Sequence, residues 1–190
     1  MIEYNNEVTF QRIAYSTMPE CIVNIIDNWI DTPIKYPAYV YISLEYMNYK
    51  DLYLNYKSGG PHVAWSKPIN FKGLLFICLA ILYNLHCNLN ICHGDFRDTN
   101  IFLSYIGPEY KQEIKLNYPV DKIYHVETGG FNIKLGDFGL AEKLTGNVAS
   151  FIFRDYEFLE NLYSNLANWK WMDENNYKMI MKFIKQYFIN

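Results

Sequence analysis

Basic residues are few in this chain and nowhere concentrated. Lys and Arg together number 17 against 20 Asp and Glu, for a net charge of −3. With no basic stripe or arm, the chain lacks the footprint by which proteins hold a nucleic acid backbone. Cysteine is scarce as well: Cys21, Cys78, Cys87 and Cys92 form no C-x-x-C pair and no zinc-ligand spacing. They are expected to be buried, reduced thiols of a cytosolic protein. The most apolar run, residues 74–83, is well short of the ~20 residues that cross a bilayer. It is expected as a core helix. The opening MIEYNNEVTF is acidic where a secretory signal would be basic and then apolar. Neither nucleic acid nor membrane is therefore an expected partner, and the cytoplasm is the expected location.

What is present is apolar and aromatic. Half of the 190 residues are hydrophobic and 18% are aromatic, enough for one domain with a real core and short for two. Asn, Ile, Tyr, Lys and Phe dominate, while Ala, Arg and Gly are used sparingly. The favoured residues have AT-rich codons, which hints at an AT-rich source such as a large DNA virus or a protist.

Taken in order, residues 5–17 place Val8, Phe10, Ile13 and Ala14 where a helix gathers them on one face, and Pro19 ends it. Residues 21–29 read as strand and turn, Pro33 and Pro37 as a loop, and the β-branched and aromatic residues 38–45 as a strand. A short helix over residues 51–56 and a loop over 58–68 precede a long helix over 69–88, apolar all round and so buried. A strand over residues 101–103 follows. Farther on, residues 122–127 and 131–135 read as the two arms of a hairpin turning at Thr128, Gly129 and Gly130. His125 falls on one arm and has no second His or Cys spaced to join it as a metal ligand. The helical pattern of Phe158, Leu159, Leu162, Tyr163 and Leu166 comes next, and an amphipathic helix over residues 177–188 closes the chain.

Two stretches carry chemistry. Residues 91–103, ICHGDFRDTNIFL, hold His93, Asp95 and Asn100 in the spacing H-x-D-x-x-x-x-N. Residues 134–140, KLGDFGL, place Asp137, Phe138 and Gly139 behind a strand-like apolar run. Phosphoryl transfer from Mg-ATP needs a carboxylate at the attacking hydroxyl and oxygen ligands for the magnesium between the phosphates. Asp95 can supply the first, and Asn100 with Asp137 the second.

In this order and spacing the two stretches resemble the catalytic loop and the metal-binding loop of protein kinases of the serine/threonine type, including those of large DNA viruses. The resemblance implies an α+β, protein-kinase-like fold: residues 1–45 the remnant of a β-containing small lobe, residues 46–190 a mostly helical large lobe. It implies ATP and Mg2+ as cofactors and a protein hydroxyl as acceptor. Asp95 and Arg97 would be catalytic, Arg97 standing where a lysine usually touches the transferring phosphate. Asn100 and Asp137 would hold the metal. Glu45 and Met47, flanking Tyr46, would form the hinge that meets the adenine ring through backbone groups, or merely a strand end. His93 would be scaffold in the loop's base. Glu7 stands where the family's helix carries the glutamate that pairs with a strand lysine, and equally where a helix dipole favours any acid. Asp155 resembles the aspartate that braces the catalytic loop, and equally an N-cap. If the enzyme is viral, host cytoplasm or virion is its place.

The chain departs from the family in four ways. It has no G-x-G-x-x-G and no V-A-I-K-like strand, so the phosphate-covering part of the small lobe is missing from it. Gly94 replaces the arginine that often clamps a phosphorylated activation loop. No Ala-Pro-Glu follows Gly139, and the segment before Asp155 is short. Residues 104–130 are an insertion. These departures leave three functions open: a protein kinase, with a separate chain supplying the missing strands; a truncated or pseudokinase binding module without turnover; or a small-molecule phosphotransferase, which the His93, Gly94, Asp95 triplet favours.

Overall fold

The computed structural model describes residues 2–32, 39–49, 51–57, 69–116, 122–145, 148–168 and 178. The loops expected over residues 33–37 and 58–68 and the helix expected over 177–188 lie outside the described residues, apart from residue 178. Among the described residues the architecture is mixed α+β: four α-helices and four small antiparallel sheets of two strands each.

The core is built on the most apolar helix, α3 (Phe71–Tyr83). Asn70 caps its start, its side-chain oxygen accepting from the amides of Lys72 and Gly73. Leu74, Ile77, Cys78, Ile81 and Leu82 are fully buried, and the chain continues into a π-helical turn, Asn84–Asn88. Together these form an 18-residue apolar stretch, long enough by length and composition to cross a membrane. Here it is packed inside the protein against Phe131, Ile133, Phe138 and Leu159.

Next to α3 stands the frame that carries the loops of interest. Strand β4 (Ile101–Tyr105) pairs with β7 (Phe131–Leu135), Ile101 opposite Leu135 and Tyr105 opposite Phe131. The segment after helix α1 (Ile2–Thr17) runs along the other edge of β7, with Val23 N–H donating to Leu135 O and Leu135 N–H to Cys21 O. Strands β1 (Ile25–Asp31) and β2 (Tyr39–Leu44) form a separate sheet, Trp29 opposite Tyr41. Helix α2 (Leu52–Lys57) follows β2, and helix α4 (Val148–Asn168) ends the described core.

Two expectations are corrected. Residues 122–127 and 131–135 do not pair with each other. Strand β6 (Lys122–Glu127) pairs with β5 (Lys111–Leu116), a strand the sequence reading did not separate from its surroundings, while β7 pairs with β4. The cause is burial. Residues of β7 are buried on both faces and need a core position, whereas β5 and β6 alternate between buried and exposed and form an outer hairpin. Gln112 of β5 joins the two, its side-chain amide exchanging two 2.8 Å hydrogen bonds with the backbone of Ile133. The second correction concerns α1. Its buried stripe is Glu7, Gln11 and Ala14, continued by Met18, while Ile13 is exposed. Polar residues hold this face because each finds a partner there: Gln11 donates to Val23 O at 2.7 Å, and Glu7 reaches the site described next.

Candidate active site

The loop after strand β3 (Ile91–Cys92) is held from behind by one carboxylate. Asp155 lies in the third turn of α4, well past its start, so it is a brace and not an N-cap. Its oxygens accept from the backbone amides of His93 and Gly94, both at 2.9 Å, from His86 Nε2 at 2.9 Å and from the Cys92 thiol at 3.3 Å. Burial alone would raise the Asp155 carboxyl; the hydrogen bond from His86 and the charges of His93 and His86 outweigh it and hold the group below the usual range. Gly94 is required at its position. Its φ is +80°, and a Cβ there would sit 2.4 Å from Leu140 O and 2.6 Å from Arg154 Nη2. Arg154 in turn pairs with Glu142 of strand β8 (Glu142–Lys143) at 3.2 Å.

His93 is fully buried and acts as a strut. Asp95 N–H donates to its Nδ1 at 3.3 Å, which assigns the proton to Nε2, 3.1 Å from Gly136 O. Burial pushes its pKa down, consistent with a neutral ring. The ring also meets Phe138 edge-on, with centroids 4.7 Å apart. His93 thus ties the Asp95 loop to the Asp137 loop, the scaffold role expected of it.

Asp95 faces outward from this support with its carboxylate held on two sides. Asn100 Nδ2 donates to Asp95 Oδ2 at 3.0 Å and to Asp95 O at 2.9 Å. Arg97 Nη2 lies 2.9 Å from the same Oδ2, its side chain half exposed. The two bonds from Nδ2 fix the Asn100 amide, so that Oδ1 points away from Asp95 and is free to serve as an oxygen donor. Asn100 sits one residue before β4 and Asp137 two residues after β7. The Ile101 to Leu135 pairing and the 3.0 Å bond from Gly136 N–H to Asn100 O bring the two together.

Asp137 adopts φ +60°, a left-handed conformation that Asp tolerates. It opens into a cleft of about 440 Å³ walled by Tyr4, Glu7, Val40, Ile42, Leu44, Phe102 and Gly139. Glu7, expected on weaker grounds, is therefore part of this site. Burial first, then the Asp137 charge and a hydrogen bond shared with that carboxyl, raise Glu7 to about 8, although the amides of Gly139 and Phe138 work the other way. The two acids share a proton at neutral pH. No lysine or arginine is among the residues that line the cleft.

Glu45 and Met47 lie beside the cleft and not in its wall. The Glu45 carboxylate binds Lys134 Nζ and the Asn24 amide, each at 2.7 Å. Met47 is buried, with its sulfur 3.5 Å from Ser104 Oγ, and Tyr46 between them is exposed. His125 is an exposed residue of β6, as expected. Three of the four cysteines are buried and Cys87 is exposed; all are free. Among the described residues no group of three or more His, Cys, Asp or Glu side chains could hold a metal ion. Sequence reasoning missed the apolar wall formed by Val40, Ile42, Leu44 and Phe102; the alternation within β2 was its only signal. Compared with protein-family models and with curated proteins, the chain matches none.

Proposed function

We propose that the chain is a protein-kinase-like phosphotransferase that moves the γ-phosphoryl group of Mg-ATP to a serine or threonine hydroxyl of a protein. One observation carries the reading: Asp95, Asn100 and Asp137 converge at the mouth of a cleft whose opposite wall is apolar. In this reading Asp95, fixed by Asn100 and Arg97, orients the acceptor hydroxyl and takes its proton. Arg97 lies beside that carboxylate with its guanidinium open to solvent, where it can meet a phosphate. Asn100 Oδ1 and Asp137 fit Mg2+, which takes oxygen ligands and is usually held by one or two protein groups together with phosphates. The metal would neutralise charge between the phosphates. The slot between Phe102 and the Val40, Ile42 and Leu44 wall suits a flat apolar ring, and the backbone of Glu45 and Met47 lies at its edge. Its volume falls within the range usual for small-molecule sites.

A second reading, a binding module without turnover, is favoured by the lack of a cation in the cleft wall. Each missing charged hydrogen bond to phosphate costs roughly 1.5–3 kcal/mol, so turnover by this chain alone is expected to be slow. The test is transfer of labelled γ-phosphate from Mg-ATP to a protein mixture, run beside Asp95→Asn. Loss of a general base lowers the rate about 10²–10⁴-fold. Label on serine or threonine that disappears in the variant supports the enzyme; equal label in both, or none, leaves the binding module.

A further inference from the structure

Two features at the front of the molecule have no role in the site as described. The first is the open sheet. β1 and β2 have, among the described residues, no third strand, and a two-stranded sheet is marginal by itself. Natural edge strands are blunted by charge, proline or a bulge. β1 has such devices, with Asp27, Asp31 and a bulge between Ile25 and Asp27. β2 reads YVYISL and has none, and its Tyr39, Val40, Tyr41 and Leu44 are all exposed. The second feature is Glu7. It is buried against another acid, and no cation stands within ion-pair distance of it among the described residues. Both features open onto the same cleft, because Val40, Ile42 and Leu44 line it together with Glu7 and Asp137.

We infer that β2 is the docking edge for a strand of a separate polypeptide, apolar at alternate positions and bearing one lysine on its cleft-facing side, where the ammonium meets Glu7 and Asp137. Pairing along an edge places every second side chain on one face. A residue beside Val40 or Ile42 therefore points into the cleft, toward the two acids. A cation there replaces the shared proton and leaves two carboxylates with a counter-ion. A second copy of this chain fits poorly: its own β2 would bring only uncharged side chains to the acids. The functional consequence rests on the phosphotransferase reading: the docked ammonium gives the nucleotide cleft the positive charge that its own lining lacks.

The test uses the full chain and strand peptides of alternating valine and threonine, N-methylated along one edge to keep them monomeric. A single lysine is walked through the peptide position by position. Saturable binding is expected with a period of two in lysine position. Norleucine at the best position should weaken it about tenfold or more, the scale of a close charge pair. Backbone amides of β2 should gain protection from hydrogen exchange. Glu7→Gln should erase the lysine preference, and Tyr41→Lys should abolish binding while leaving the melting temperature nearly unchanged. Binding that ignores the lysine position, no saturable binding in the series, or protection of β2 by self-association without peptide would overturn the inference. Affinity for Mg-ATP, measured with and without the best peptide, separates the two readings. Register-specific binding with no gain in Mg-ATP affinity keeps the docking edge and removes the phosphotransferase. Phosphoryl transfer with no peptide bound does the reverse.

Discussion

The two walls of the cleft are built on opposite plans. Behind it, residues 91–96 are all buried, and the polar groups of the loop are tied to Asp155, His93, Gly136 and Asn100. In front of it, Trp29, Tyr39 and Tyr41 form an exposed aromatic face on a two-stranded sheet, and two acids share a proton with no cation beside them. Positioning a reactive carboxylate demands a rigid support, since preorganised groups cost nothing to reorganise when charge develops. A wall left open is set by what comes to occupy it. The contrast teaches that this chain concentrates its fixed structure where chemistry would occur and leaves the nucleotide-facing side unfinished.

The sharpest way to break the rear wall is Asp155→Ala. It strands the His86 ring and the His93 and Gly94 amides in a buried setting, a change expected to cost about 3–5 kcal/mol. For a domain of this size that lowers the melting temperature by about 6–20 °C, which thermal denaturation followed by circular dichroism reads directly. Gly94→Ala comes next. The positive φ and the contact with Leu140 O, a backbone atom that cannot swing aside, predict a loss of about 2–3 kcal/mol by urea denaturation. A neutral outcome for either would mean that the loop is not held as tightly as its hydrogen bonds indicate.

The rear wall was largely legible in the sequence and the front was not. The spacing from His93 to Asn100 and the triplet at Asp137 dictate their own local geometry, because each group bonds to a neighbour a few residues away or across one strand pair. The apolar run of α3 likewise announces burial without knowing its neighbours. Asp155 was readable only through resemblance, since an aspartate inside a helical pattern gives no local sign of the loop it will brace. Strand pairing was misjudged because Gly129 and Gly130 mark a turn but do not say which strands it separates; that choice lay with Gln112 and with the burial of Phe131, Ile133 and Leu135. The buried face of α1 was misjudged for a related reason. Glu7 and Gln11 look like surface residues until Val23 O and the amides of Phe138 and Gly139 are brought to them from elsewhere in the chain.

Glu7→Gln sharpens the comparison from the front. The folded protein holds the Glu7 proton up to about pH 8, whereas an unfolded glutamate releases it near its ordinary value. Between those limits the folded state binds more protons than the unfolded one, so stability is full below about pH 4.5 and declines as pH rises through 8. Glutamine removes this decline. Discounted for partial solvent screening, the variant should gain about 1–2 kcal/mol over the parent at pH 9 and nothing at pH 4. Melting temperatures across that pH range would show the two curves converging in acid. Parallel curves would mean that Glu7 and Asp137 do not share a proton.

The smallest expected effect is the most informative about the open wall. Trp29 is one of the largest side chains in the molecule, yet it is half exposed and its recorded ring contact is a stack on Tyr41, with centroids 5.1 Å apart and planes 13° from parallel. Such a cross-strand pair contributes about 0.5–1 kcal/mol, while truncating a buried aromatic such as Phe138 would cost about 3–5. Trp29→Ala should therefore shift the urea midpoint barely beyond error. A loss on the core scale would show that the β1–β2 sheet is a self-sufficient part of the fold, and the distinction between the two walls would collapse. A small loss means that the aromatic face contributes almost nothing to holding the chain folded, which is what a surface awaiting another strand would show.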